Sequence, residues 1–216
     1  VFGAASYLWL QTLDGGEAER LFEGSAFERA PAFSPDGRQL AFVHGAYGKE
    51  EVRVFDFENR QMRTLASGPT NWGLSWSPDG QRLVFVERGA PARVVAVNLN
   101  DGKKEKLTET RRLRNGRPHL SADGQSLYFS DRPPGGFLTL YRLRLTDKAQ
   151  REPVTQLTRH LNAALVSPDG KWLAFQRNSE LWVAPLGNEP VREEHIRQLS
   201  AEGGDTFAFT PDSSAL

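Results

Sequence analysis

Four short apolar runs recur along the chain: LAFV at 40–43, LVFV at 83–86, LYFS at 127–130 and LAFQ at 173–176. Each follows a polar turn, SPDGRQ, SPDGQR, SADGQS or SPDGKW. The runs are too short for an amphipathic helix, and no stretch of the chain holds a 3.6-residue period over three turns. Side-by-side apolar residues over four positions predict strands covered on both faces. Pro at the second turn position pre-sets φ for a turn and is hostile to a helix interior. Asp-Gly between two apolar stretches is a strong hairpin signal, because Gly accepts the positive φ that a tight turn demands.

The unit is longer than the turn. Copies start at Ser34, Ser77, Ser121 and Ser167, with a broken copy, TPDSSAL, from Thr210. A period of about 44 residues belongs either to a β-propeller blade or to a helical solenoid repeat, and the strand chemistry selects the blade. In the second repeat one strand leads into the turn (NWGLSWSPDG) and a second leaves it (QRLVFVE). A third follows (RVVAVNL), and after the polar link NDGKK comes a fourth (EKLTE). The third strand recurs as SYLWLQTL, EVRVFDF, LTLYRLRL and ELWVAPL, and the fourth as AERLFEG, QMRTLAS, VTQLTR and IRQLSA. The predicted fold is all-β: a β-propeller of four-stranded antiparallel blades, four of them complete, with partial blades at the termini.

SPDG, an apolar pair, a strand like ELWVAPL and then RQLS or EKLTE together resemble the TolB-like propeller repeats, also called WD40-like Pro-Asp repeats. The resemblance covers essentially residues 1–216 as one propeller. It implies a non-catalytic module that binds or scaffolds protein or peptide partners, outside the cytoplasm. Such propellers also occur fused to catalytic domains, so fold alone does not fix function. The ending VREEHIRQLSAEGGDTFAFTPDSSAL resembles the propeller region that precedes the catalytic domain of some metal-dependent amidohydrolases. That likeness implies the alternative of an accessory propeller whose catalytic residues lie outside this chain. A serine peptidase of the prolyl oligopeptidase type is a further host for such a propeller.

The chain opens on a third strand and stops where a second strand would begin, so the sequence reads as a fragment. Strands seldom end unpaired in a natural domain. An open arc is the expectation, with five-bladed closure through shared terminal strands as the alternative; exposed edges in an arc would favour self-association.

Charge adds little. Lys and Arg number 27 against 27 Asp and Glu, which gives no general pull toward nucleic acid or an anionic membrane. The basic run from Lys103 to Arg117 faces an acidic stretch from Glu189 to Asp205, a pattern read as solvated charge on strand faces and loops. It lacks the interleaved aromatics of a single-stranded nucleic-acid platform. Without cysteine there is no disulfide, thiolate zinc site or thiol nucleophile. VFGAASYLWLQTL lacks a basic flank and is strand-like, so no signal peptide or membrane span is predicted within the chain.

Catalytic arrangements are missing from the sequence: no G-x-S-x-G, H-x-H, H-E-x-x-H or P-loop occurs. His44, His119, His160 and His195 stand one per repeat, and no metal or cofactor is expected to use them. The turn aspartates Asp36, Asp79, Asp123, Asp169 and Asp212 are assigned to capping local backbone N–H groups rather than to calcium or acid–base work. Trp9, Trp76, Trp172 and Trp182 are assigned to packing between blades.

The candidate binding residues come from the repeat itself. The innermost strand of a propeller lines the central channel. Residues five or six before the Ser or Thr of each turn therefore converge at the funnel mouth: Arg29, Asn71, Asn115, Asn162 and Asp205. Trp72 stands beside Asn71, and Arg117 lies slightly further in. Polar groups around a rigid rim supply the directional hydrogen bonds a peptide or partner protein needs.

Overall fold

The computed structural model describes residues 2–4, 7–12, 14–23, 27–69, 73–110, 117–147, 150–200, 207–210 and 212–216. A three-stranded sheet comes first: β1 (Phe2–Ala4), β2 (Tyr7–Leu10) and β3 (Glu19–Arg20), paired in that order. The first blade follows with β4 (Glu28–Phe33), β5 (Gln39–His44), β6 (Glu51–Asp56) and β7 (Gln61–Ser67). The second holds β8 (Ser75–Trp76), β9 (Arg82–Glu87), β10 (Ala92–Asn98) and β11 (Lys104–Thr110). β12 (His119–Leu120), β13 (Ser126–Asp131), β14 (Thr139–Arg144) and β15 (Arg151–Pro153) make the third. β16 (Asn162–Val166), β17 (Trp172–Arg177), β18 (Glu180–Pro185) and β19 (Arg197–Gln198) make the fourth. Every blade is antiparallel, with its strands in sequence order. The all-β propeller read from the repeat is the fold of the chain.

One boundary differs from the expectation. β1 pairs with β2 from Phe2↔Trp9 to Ala4↔Tyr7, so a short second strand precedes the third strand on which the chain was expected to open. The run FGA is small and carries no turn signature, which left it unread.

The core lies between blades rather than within them. Alternate residues of β9 point to opposite sides: Leu83 and Phe85 pack with Ala41, Val43, Val52 and Val54 of the first blade. Val84 and Val86 pack with Leu127, Phe129 and Leu143 of the third. Leu40 and Phe42 face Leu8 of the leading sheet, and Leu173 and Phe175 face Tyr128 and Leu140. The second strand of each blade is thus walled on both sides, which is why it reads as an unbroken apolar run. Phe42, Phe85, Phe129 and Phe175 occupy one equivalent place per blade, and all are fully buried.

The repeated turn is a four-residue loop held by its serine as well as its aspartate. Gly37 N–H donates to the Ser34 carbonyl at 2.9 Å, and Ser34 N–H donates to the Gln39 carbonyl at 2.8 Å. Ser34 Oγ accepts the Gln39 N–H at 2.9 Å and donates to Asp36 Oδ1 at 2.6 Å, while that carboxylate also accepts the Arg38 N–H at 3.1 Å. The aspartate therefore caps backbone as expected, within a hairpin loop four residues wide. The same serine and aspartate bonds recur at Ser77, Ser121 and Ser167. In the last copy Thr210 and Asp212 repeat them, Ser213 takes the glycine place at φ 61, and its Oγ accepts the Asp169 N–H at 3.0 Å.

Two of the four tryptophans assigned to packing between blades are found there. Trp76 joins the first interblade core and donates Nε1–H to the Ala32 carbonyl of the neighbouring blade at 2.9 Å. Trp182 packs against the core between the third and fourth blades, and Trp9 is partly buried in its strand. Trp172 is 42% exposed, contrary to its assignment to packing. It fills the strand place that Gln39, Arg82 and Ser126 hold elsewhere, a polar position at the turn end of the strand.

Candidate functional site

Antiparallel blades give the molecule two ends. The Ser-Asp-Gly turns and the connections between third and fourth strands emerge at one, the turn face. Links between blades and the loops between second and third strands emerge at the other, the link face, where each innermost strand begins.

Those innermost strands start with a bulge. Pairing of β4 with β5 slips between Arg29 and Ala32, and that of β16 with β17 between Asn162 and Leu165. Ala30 (φ 55) and Ala163 (φ 45) sit inside the slips in the left-handed region, four residues before the turn serine; Gly73 (φ 104) holds the same place in the second blade. A bulge re-aims the neighbouring side chain, and non-glycine residues persist at positive φ only where the surroundings hold them. The residues aimed here, Arg29 and Asn162, are those that the repeat placed at the funnel mouth.

Arg29 is bound rather than loose in the channel. Its Nη1 donates to the Gly45 carbonyl at 2.9 Å and its Nη2 to Glu50 Oε1 at 3.3 Å. Glu50 is fully buried; it also accepts the Gly48 N–H at 2.8 Å and a guanidinium N–H of Arg88, which crosses from the second blade. Burial pulls the Arg29 guanidinium below its usual range, and Arg88 adds to the shift while Glu50 opposes it. Sequence reading missed Glu50, Arg88 and Tyr47. Arg88 was findable by lining up the residue after each second strand, which is Gly45, Arg88, Arg132 and Asn178.

Arg117 lies deeper, in the seam between inner strands. Its Nε donates to the Leu74 carbonyl of the preceding blade at 3.3 Å, and burial lowers its pKa. Ser75 Oγ answers by donating to the Pro118 carbonyl. His119 continues the seam: Nδ1 lies 3.0 Å from the Arg117 carbonyl, and Nε2 accepts the Val166 N–H of the fourth blade at 3.1 Å. These partners select the neutral Nδ1–H tautomer. Burial, foremost, and the nearby Arg117 charge push the imidazole pKa down to about 4. Arg117 thus joins two blades.

Asn162 begins β16 opposite Gln176, and no hydrogen bond joins it to Arg29 among the described residues. Asn71, Trp72, Asn115 and Asp205 lie outside the described residues. Elsewhere on the link face Arg177 holds Glu193 through two hydrogen bonds of 2.9 and 3.1 Å, and Glu193 also accepts the Thr158 N–H and hydroxyl. The Arg177 guanidinium, foremost, holds the Glu193 carboxyl down to about 2. His160 accepts the Leu138 N–H at 2.9 Å and meets Phe137 edge-on. No group of three or more His, Cys, Asp or Glu among the described residues is placed to hold a metal. A cleft of about 260 Å³ between the third and fourth blades is lined by the Arg142–Glu152 ion pair, Tyr128 and the 186–190 loop, away from the mouth. No helix of the described residues is long and apolar enough to cross a membrane.

Residues 3–181 match the family model described as TolB beta propeller domain. The chain belongs to the TolB β-propeller family. Among curated proteins this family member is 29% identical over 99 residues to the Tol-Pal system protein TolB of Anaeromyxobacter dehalogenans, covering 45% of this chain and 23% of that protein. It is 32% identical over 128 residues to the uncharacterized peptidase YuxL of Bacillus subtilis, covering 59% of this chain and 18% of that one. The chain thus spans less than a quarter of either relative. The crystal structure of TolB from Acinetobacter baumannii superposes with a TM-score of 0.76 over 90% of this chain and 48% of that one, at 18% identity. At that identity the likeness is one of fold.

Proposed function

We propose that this TolB-family propeller is a binding and scaffolding module that takes a protein or peptide segment on its link face and performs no chemistry of its own. The observation that carries the proposal is the company kept on that face. Phe27, Tyr47 and Phe137 are exposed among the link-face loops, and the Arg88 guanidinium lies over the Tyr47 ring. Arginine and aromatic residues are the side chains enriched where proteins meet, because they supply contact area and directional donors at small entropic cost. The blade cores beneath hold the loops that carry them, so little ordering remains for binding to offset. The reading requires no cofactor, and the likeness to TolB supports a place outside the cytoplasm.

Photo-crosslinking residues placed at Tyr47 and Phe137, with turn-face controls at Gln81 and Lys171, test the reading. Protein adducts are expected from the link-face positions alone; equal labelling of both faces, or none at either, overturns it. A second reading, in which the propeller serves a hydrolase domain, draws on the similarity to the Bacillus subtilis peptidase; a metal-dependent amidohydrolase is the other host. Under that reading the link-face adducts form with the hydrolase domain itself.

A further inference from the structure

Arg29 and Arg88 share one carboxylate. Glu50 Oε1 accepts a guanidinium N–H from each, and Oε2 is taken by the Gly48 N–H, so the carboxylate is committed.

Arg88 is the half-used partner. Its only side-chain hydrogen bond among the described residues is the one to Glu50, which leaves most of its five N–H donors available, and its side chain is 19% exposed. The guanidinium lies over the Tyr47 ring with 3.8 Å to the ring centroid, and that ring is 84% exposed. A planar cation seated over an aromatic ring, with one N–H fixed by a buried carboxylate, presents its remaining donors in a set direction. The counterpart in the third blade differs: Arg132 Nε donates to the Gly136 carbonyl of its own loop at 2.9 Å.

We infer that Arg88, oriented by Glu50 and Tyr47 and backed by Arg29, forms a carboxylate-binding subsite on the link face that takes an acidic side chain of a bound peptide segment. The inference rests on the proposed protein-binding role of that face. A carboxylate accepts two parallel N–H bonds from a guanidinium edge, while Tyr47 covers the peptide beside it. Recognition pairs a guanidinium with a carboxylate at a partly exposed site, so binding weakens with salt.

The test uses a fluorescently labelled, end-blocked pentaglutamate peptide, with pentaglutamine as its neutral twin, titrated by anisotropy into the whole chain at 150 mM salt. Pentaglutamate is expected to bind at least tenfold more tightly than pentaglutamine. Arg88→Gln is expected to lower that affinity about tenfold and Tyr47→Ala severalfold, whereas Lys103→Gln, on the exposed turn-face loop, leaves it unchanged. Arg88→Lys guards against a folding artefact: it keeps the charge and loses the fork, so an intermediate loss supports the bidentate geometry. Equal binding of the two peptides, or no loss in Arg88→Gln, overturns the subsite. Citrate competing as well as pentaglutamate at equal carboxylate concentration assigns the cluster to small carboxylates and overturns the peptide assignment. If link-face adducts form but are indifferent to Arg88→Gln, the carboxylate subsite fails while the wider binding role stands.

Discussion

A single imidazole joins two blades at the residue scale. His119 receives the Val166 N–H of the next blade, faces the Arg117 carbonyl of its own, and stacks on Tyr128 at 5.3 Å between ring centroids. Protonation would add a second proton where Nε2 must accept, so the charged form costs the interblade bond. With the folded pKa pushed down to about 4 from an ordinary 6.5, the unfolded chain binds the extra proton first as pH falls. The contribution is fully present above pH 6.5 and drains away between 6.5 and about 4, by up to about 3 kcal/mol for a shift of this size. Urea denaturation across that window is expected to show falling stability, and His119→Gln to flatten the slope there; an unchanged slope would contradict the assignment. The turn aspartates act lower: hydrogen bonds from the turn serines, first, and from backbone N–H groups hold Asp36, Asp79, Asp123 and Asp169 below the usual carboxylate range. Their stabilisation is present above the ordinary carboxylate pKa and is lost as pH falls through the depressed one.

At the scale of the element, the bulged start of the innermost strand stores local strain. Alanine in the left-handed region costs roughly 1–2 kcal/mol that glycine does not. Ala30→Gly and Ala163→Gly are each expected to stabilise the chain by about 1 kcal/mol, offset in part by glycine's greater entropy in the unfolded state, and to raise Tm by about 2–4 °C for a protein of this size. Calorimetry decides, and a fall in Tm at both sites would mean that the alanine methyl is needed for packing. The strands themselves were legible because period and turn chemistry agree across the four full repeats: Asp-Gly, preceded by Pro in three of them, announces the turn, and Leu-x-Phe announces the strand behind it. The bulges were not legible, since alanine carries no local signal for positive φ and the slip is set by pairing across the sheet. Arg29 was placed at the mouth from spacing alone. Its bond to Glu50 was not, because sequence spacing locates a side chain on a blade but says nothing of what crosses to it from the next; Arg88 is 38 residues from Glu50 and on another blade.

Across the whole molecule, the interblade cores make the fold a chain of nearest-neighbour contacts, each blade bound to those beside it. Phe85 lies wholly within the contact between the first and second blades. Phe85→Ala is expected to cost about 3–5 kcal/mol, and hydrogen exchange should show lost protection in β5, β6, β9 and β10 before β17 and β18. Uniform loss of protection would instead indicate a ring that opens only as one unit. The whole-molecule fold was the most legible level, because repetition multiplies a weak local pattern into a strong one. Because each second strand gives one face to the blade before it and the other to the blade after, no blade owns a complete interior. The smallest length of chain with a sealed hydrophobic interior is a neighbouring pair. A copy of this unit added or removed by recombination would keep every remaining joint intact if cut from turn serine to turn serine. Such a cut trades one boundary for an equivalent one and lets these molecules vary in blade number without inventing a new contact.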